Sequence, residues 1–333
     1  MADKAHISET DIIERYFAPL AAETPGAFSL GDDAGLIQPP DGMEVVLTTD
    51  VILSGVHFLE DAAPQDVAYK ALAVNVSDLC AKGADPAVYL LSLALPDNPD
   101  VRWLEGIREG LSEAQTDFAC TLLGGDTVRT PGPATLSITA AGYVPKGRMV
   151  HRSSARKGDT VYVTGTIGDA ALGLLLCQDA GTAKGKLSVD QIEFLRDRYR
   201  RPRPRIAAID IVRRHANAAM DVSDGLAGDF IKLCAASNAG GSIDVESVPL
   251  SDAAASWIRR EPERMSDAIT GGDDYEILLT VSRNASAEIE TVCVQAGISI
   301  APIGRILTAD NGVEVRDEDG NPLELSRKSF THF

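Results

Sequence analysis

Two hydroxyls and a carboxylate stand side by side at Thr48-Thr49-Asp50, directly after the apolar run Val45-Val46-Leu47. A strand that ends this way sets three oxygen ligands where a core edge meets a cleft. Hard cations such as Mg²⁺ want such oxygens and keep water and substrate phosphate as their other ligands. The arrangement gains weight by repetition. Leu122-Leu123-Gly124-Gly125-Asp126 and Ala219-Met220-Asp221-Val222-Ser223-Asp224 are also short apolar segments running into Asp beside Gly or Ser. Ile269-Thr270-Gly271-Gly272-Asp273-Asp274 echoes the Gly-Gly-Asp of the first half. Gly31-Asp32-Asp33-Ala34 offers paired carboxylates, and Asp78 closes a helix face begun by Val67, Ala71 and Val74.

Each signal has a plainer reading. Gly-Asp-Asp is a common turn composition, Ser223 and Asp224 could be a helix N-cap pair, and Asp78 could look into solvent. Taken together, though, so many carboxylates cannot converge without cations, because like charges a few ångströms apart repel strongly. Several Mg²⁺ ions would resolve this, and their natural ligand is a polyphosphate. An acidic cleft can then bind ATP with few basic residues. Arg152, in the basic connector Arg148–Lys157, is the best single phosphate-binding arginine, or else a solvated linker charge. A lone histidine is more often structural or simply exposed, but His57 lies seven residues past Asp50, just beyond the proposed ligand site, which leaves a substrate role open. The Walker motif, the protein-kinase signatures and the EF-hand loop are all absent.

The elements that must position these groups are legible in outline. Residues 8–20 read as a helix with Ser8 as N-cap and Asp11 in a capping-box position. Pro64 to Lys82 is a helix ended by Gly83. Val88–Leu95, Thr121 onward and Leu136–Tyr143 are strands, and Val101–Glu113 a helix, so the first half reads β-α-β-α-β-β. The second half begins at Gly158 with a strand over Thr160–Gly165 and a helix over Gly168–Cys177. Residues 179–205 are helical and end in a basic bend, Arg200-Arg201-Pro202-Arg203-Pro204-Arg205. Helices over Ile206–His215 and Leu226–Ser237 and a strand over Ile277–Val281 follow. The two halves share a grammar of strand, Gly or Ser, Asp, helix. We expect two α/β domains, α+β-like in their segregation, divided as 1–147 and 148–333.

Composition narrows the function. The chain has 333 residues, 44% hydrophobic, and a net charge of −18 from 49 acidic and 31 basic residues. That balance argues against nucleic acid or an anionic membrane as partner, since both need a basic footprint. Five scattered cysteines with no Cys-x-x-Cys pair argue against a disulfide framework or zinc site and for a reducing compartment. Met1-Ala2-Asp3-Lys4 lacks a signal core, and no apolar run could span a bilayer. We expect a soluble, cytoplasmic protein.

Gly31-Asp32-Asp33-Ala34, Thr48-Thr49-Asp50 with Gly55-Val56-His57-Phe58, Asn75-Val76-Ser77-Asp78, Gly124-Gly125-Asp126, Arg152-Ser153, Asp221-Val222-Ser223-Asp224-Gly225-Leu226 and Gly271-Gly272-Asp273-Asp274-Tyr275-Glu276 occur in that order. Together, from about residue 8 to the last residue, they resemble thiamine-monophosphate kinase. That family lies in the superfamily of aminoimidazole-ribotide synthetase and selenophosphate synthetase. The resemblance implies a homodimer formed through the N-terminal sheets, with ATP bound at that interface, and a C-terminal domain that completes the nucleotide and substrate site. It implies transfer of the ATP γ-phosphate to thiamine monophosphate. Carried over by position, Asp33, Thr48, Thr49, Asp50, Asp78, Asp126, Asp221 and Asp224 hold several Mg²⁺ ions. Gly125, Asp126, Arg152 and Ser223 touch ATP, and His57, Asp273 and Phe330 contact thiamine monophosphate. Two departures stand out: the family usually has Glu where Asp273 stands, and Ser329-Phe330-Thr331-His332-Phe333 replaces its C-terminal Gly-aromatic-x-His-Phe.

Relatives with other activities fit less well. The first cysteine, Cys80, falls inside a helix, unlike the N-terminal nucleophile of selenophosphate synthetases. Ser54-Gly55-Val56-His57-Phe58 stands where the aminoimidazole-ribotide enzymes carry Gly-Val-Gly-Thr-Lys, and the chain ends in Phe333 rather than the Cys of the hydrogenase-maturation relatives. The remaining alternative is a non-catalytic protein that binds divalent cations or nucleotide.

Overall fold

The computed structural model describes residues 7–97 and 99–323. They form two compact units. The first comprises residues up to Leu79 and Asp85–Gly147, the second Cys80–Ala84 and Arg148 onward.

In the first unit, α1 (Glu9–Ile12), a π-helical turn (Ile13–Phe17) and α2 (Ala18–Ala21) follow one another. The Ser8 hydroxyl accepts from the Asp11 backbone and the Asp11 carboxylate accepts from the Ser8 backbone, which is the expected capping box. The single helix expected over 8–20 is interrupted at the turn that precedes Pro19. Proline has no N–H to return to the carbonyl four residues back, and a π turn takes up the defect. The sheet strands are β1 (Met43–Leu53), β2 (Asp85–Leu95), β3 (Thr121–Arg129) and β4 (Thr135–Pro145), in the order β1-β4-β2-β3. β2 and β3 run parallel, and the other pairs are antiparallel. Helices α3 (Pro64–Ala81) and α4 (Val101–Phe118) complete the expected β-α-β-α-β-β order.

α3 is buried on every side from Val67 to Ser77, not along one stripe, as expected of a helix apolar nearly all round. α4 runs five residues beyond Glu113, and its Leu104, Ile107 and Leu111 are fully buried. The two helices pack at backbone distance. A methyl group on Gly110 would stand 2.1 Å from the Gln65 carbonyl oxygen, so only glycine fits there.

The second unit is built on β5 (Thr160–Thr164), β6 (Ala218–Asp221), β7 (Ala239–Asp244), β8 (Ile277–Val281), β9 (Ile300–Thr308) and β10 (Val313–Arg316), ordered β10-β7-β9-β5-β8-β6. Only β10 and β7 run parallel. Its helices are α5 (Asp169–Gln178), α6 (Val189–Arg200), α7 (Ile209–His215), α8 (Leu226–Ala236), α9 (Asp252–Ile258), α10 (Arg264–Thr270) and α11 (Ser286–Gln295). Phe230, Leu226, Ile243, Leu278 and Ile303 belong to one core, and Leu172, Leu176, Leu195 and Trp257 to a second. No described helix is long and apolar enough to cross a membrane.

Candidate functional site

The strand that carries Thr48, Thr49 and Asp50 does not end there. β1 continues to Leu53, and β4 pairs with it along its whole length, so all three residues sit mid-strand. Alternation then separates them. Thr48 and Asp50 share a face with the buried Val46 and Ile52, whereas Thr49 faces the other way with the exposed Leu47 and Val51. On the helix side Thr48 Oγ1 donates to Asp78 Oδ2 of α3 at 2.5 Å. Thr49 Oγ1 donates to the Ile138 carbonyl and accepts from Thr139 Oγ1 at 3.0 Å. Beside Asp78, the Asn75 Oδ1 and Ser77 Oγ atoms are buried without a hydrogen-bond partner among the described residues.

Gly124-Gly125-Asp126 also lies inside a strand rather than at its end. Gly125 pairs with Leu91, and a methyl group there would stand 1.9 Å from the Leu91 carbonyl oxygen. Its lack of a side chain is therefore demanded by the approach of β2 to β3. Asp126 is exposed on the open face of the sheet. It lines a cavity of about 570 Å³ together with Asp32, Asp33 and Gly125. Apolar walls come from Ile13, Phe17, Leu30 and Leu122. The chain reaches Asp32 through Phe28, Ser29 and Leu30, all with φ between 49° and 58°. Three successive L residues in the left-handed region are costly, and such backbone concentrates where side chains must be aimed.

The candidate ligands of the first unit thus fall into two groups. Thr48, Asp50 and Asp78 gather at the β1 edge, and Asp32, Asp33 and Asp126 around the cavity beside β3. Asp50 pairs with Ile138, Ile138 with Leu91, and Leu91 with Gly125. Three inter-strand steps separate the two groups, on the order of 14 Å. Among the described residues no three His, Cys, Asp or Glu side chains are arranged to hold a metal ion. His57 Nδ1 accepts from the Leu53 backbone, and Lys70 Nζ reaches the His57 carbonyl oxygen at 3.2 Å.

In the second unit Asp221 ends β6 and is buried. The Ser223 and Asp224 backbone N–H groups donate to Asp229 Oδ2 at 3.0 and 2.9 Å. Asp229 is buried in the first turn of α8, and that burial raises its carboxyl pKa against the pull of Lys232. Lys232 also pairs with the Asp224 carboxylate, so a cation at Asp224 must compete with an ammonium group. Asp273 stands in irregular backbone before β8, in the left-handed region with φ of 76°, so its likeness to Asp126 is one of sequence, not of setting. Its N–H donates to the Ser223 carbonyl, and Tyr275 N–H to that of Val222. Arg152 is exposed, and its carbonyl oxygen accepts from Ser237 Oγ. Phe330 lies outside the described residues.

Reading the sequence alone missed one group. Glu276 is fully buried and receives Thr164 Oγ1 at 2.8 Å, Arg198 Nη2 at 3.0 Å and a two-pronged contact from Arg205. The basic run expected to be a surface bend supplies Arg205 to this contact. Only its Arg-Pro alternation, which limits backbone freedom, hinted at a fixed position.

Comparison with known proteins first defines the class. Residues 31–144 match the model for AIR synthase related protein, N-terminal domain, and residues 156–317 that for its C-terminal domain. Within that class, the chain is 38% identical over 327 residues to the thiamine-monophosphate kinase of Escherichia coli K12, covering 98% of each. The crystal structure of thiamine-monophosphate kinase from Stenotrophomonas maltophilia K279a is 37% identical with a TM-score of 0.79, covering 88% of this chain and 90% of that one. The structure of AaThiL complexed with AMPPCP and TMP is 32% identical with a TM-score of 0.77 and 91% coverage of both. The chain belongs to the thiamine-monophosphate kinase family.

Proposed function

We propose that this chain catalyses ATP + thiamine monophosphate = ADP + thiamine diphosphate, the phosphorylation that yields thiamine diphosphate in cytoplasmic thiamine biosynthesis. The observation that carries the reading is the cavity whose apolar walls end in Asp32, Asp33 and Asp126. An apolar end suits a purine, and an acidic end suits a metal-complexed triphosphate. The related AaThiL complex, with an ATP analogue and TMP, supports the same substrates.

The donor set fits Mg²⁺: all the candidate ligands are hard oxygens, and Thr48 already fixes one Asp78 oxygen. Asp33, Thr48, Thr49, Asp50, Asp78, Asp126, Asp221 and Asp224 would hold the ions. Magnesium, when bound there, would neutralise phosphate charge. Gly125, Asp126, Arg152 and Ser223 contact the nucleotide, and His57, Asp273 and Phe330 the acceptor. The attacking oxygen belongs to a phosphate whose second pKa is about 6, so it is already ionised near neutrality. No strong general base is needed, and catalysis is alignment with charge neutralisation, without a phosphoenzyme.

The division of ligands between the β1 and β3 edges supports a homodimer. Leu47, Val51, Leu90 and Val128 are exposed on the sheet, and a second copy that covered them and reached round the β1 edge would bring its Asp33 and Asp126 towards the first copy's Asp50 and Asp78 on the helix side of β1. The first domain, 1–147, then binds ATP and Mg²⁺ and dimerises, and 148–333 is the second domain. ADP formed only when ATP, thiamine monophosphate and Mg²⁺ are all present supports this function. Tight nucleotide binding without turnover would identify a binding protein instead.

A further inference from the structure

Three buried carboxylates meet two arginines behind the loop that carries Asp273. Glu276 and Asp169 are fully buried and Asp274 is 1% exposed, while Arg198 is 4% exposed. Asp169 accepts from Thr166 Oγ1 at 2.6 Å and Ser251 Oγ at 2.5 Å, with Arg198 Nε 3.9 Å away. Asp274 accepts from the Gly168 and Ala170 backbone N–H groups at 2.7 and 3.2 Å, at the start of α5. Burial raises the Asp169 and Asp274 carboxyls, whereas the Glu276 hydrogen bonds hold Arg205 charged against its own burial.

The cluster holds a backbone that would not hold itself. Asp273 and Tyr275 have φ of 76° and 52°, a region L residues leave unless their surroundings over-determine it. Side chains anchor this stretch on both sides of Tyr275, through Asp274 and Glu276. Val222 N–H donates to the Glu276 carbonyl at 2.8 Å, and Tyr275 Oη donates to Asp273 Oδ1 at 3.2 Å. The neighbouring Ser223–Asp224 peptide has a separate anchor in Asp229. Removal of the cluster therefore releases Asp273 more than Ser223.

We infer that Glu276, clamped by Arg198 and Arg205, is a positioning residue that aims Asp273 at the phosphate acceptor and so sets acceptor affinity rather than nucleotide affinity. The inference rests on the reading of Asp273 as an acceptor contact. Its test is steady-state kinetics of Glu276→Gln, Arg205→Lys and the milder Thr164→Val, with Asp273→Asn and Glu261→Gln alongside. Glu261 pairs with Lys186 and Arg264 elsewhere in this unit, so its variant reports destabilisation alone. The expected result is a KM for thiamine monophosphate raised about tenfold, with kcat and the KM for ATP within about threefold. Thr164→Val removes one of Glu276's bonds and the acceptor of the Ile277 N–H, while both arginine contacts remain, and should show the same split at reduced size, with folding checked by urea melts. Acceptor KM values that move no more than in Glu261→Gln overturn the inference. If Asp273→Asn raises the acceptor KM while the three cluster variants do not, the positioning role fails and the assignment of Asp273 stands. If Asp273→Asn leaves it unchanged, that assignment fails and takes the inference with it.

Discussion

Thr48 Oγ1 donates to Asp78 Oδ2 at 2.5 Å, tying the middle of β1 to the last turns of α3 across thirty residues of chain. The bond holds the carboxylate before any cation arrives. Thr48→Val should raise the Mg²⁺ concentration for half-maximal rate about tenfold and cost roughly 1.5–3 kcal/mol of stability, the range for a hydrogen bond to a charged group. Magnesium titration of ADP release and urea melts read the two effects separately. An unchanged magnesium requirement would count against Asp78 as a ligand. Chelation with excess EDTA should stop turnover, and added Mg²⁺ should restore it.

Asp50→Asn and Asp126→Asn should each lower kcat more than about a hundredfold while leaving the fold intact. Mixing the two variants after co-refolding tests the shared site. Random association makes half the dimers mixed, each with one intact site, so activity should return to about a quarter of wild type. No recovery would show that each site draws on a single chain.

The two glycines before Asp126 should respond differently. Gly125→Ala drives a methyl group into the Leu91 carbonyl and should cost about 3 kcal/mol or more. At Gly124 the nearest atom is the Leu90 Cδ2 methyl at 3.3 Å, which can yield, so Gly124→Ala should cost under about 1 kcal/mol. Thermal melts of the two variants decide it, and equal losses would refute the packing argument.

Acid stability should depend on Glu261. Hydrogen bonds from Lys186 and Arg264 lower its carboxyl from 4.5 to about 2. A carboxyl with a depressed folded pKa contributes stability above its unfolded value and loses it as pH falls towards the folded one. Wild type should therefore lose stability between pH 4.5 and about 2 through this group, and Glu261→Gln should show a flatter slope there. Urea midpoints across that range are the measurement.

Local signals in the sequence reached the elements they govern. Ser8 and Asp11 cap the first helix, Pro64 starts α3, and β8 spans Ile277–Val281 as read. Strand ends were harder. Thr48-Thr49-Asp50 and Gly124-Gly125-Asp126 interrupt the apolar run, yet distant partners, β4 for the first and β2 for the second, carry both strands onward. The same distance hid the ion cluster, since Arg198 and Arg205 lie 78 and 71 residues from Glu276. No window of local sequence contains such a pair. Lys232, eight residues after Asp224, was within reach of sequence reasoning but carried no motif.

β1 presents Thr48 and Asp50 to one side and Leu47 and Val51 to the other. A slip of one residue against β4 would exchange the two sets, putting carboxylate where grease belongs and grease where carboxylate belongs. Eleven paired rows guard against that slip. An insertion or deletion within this strand should therefore abolish self-association and turnover in a single stroke, whichever residue it adds or removes.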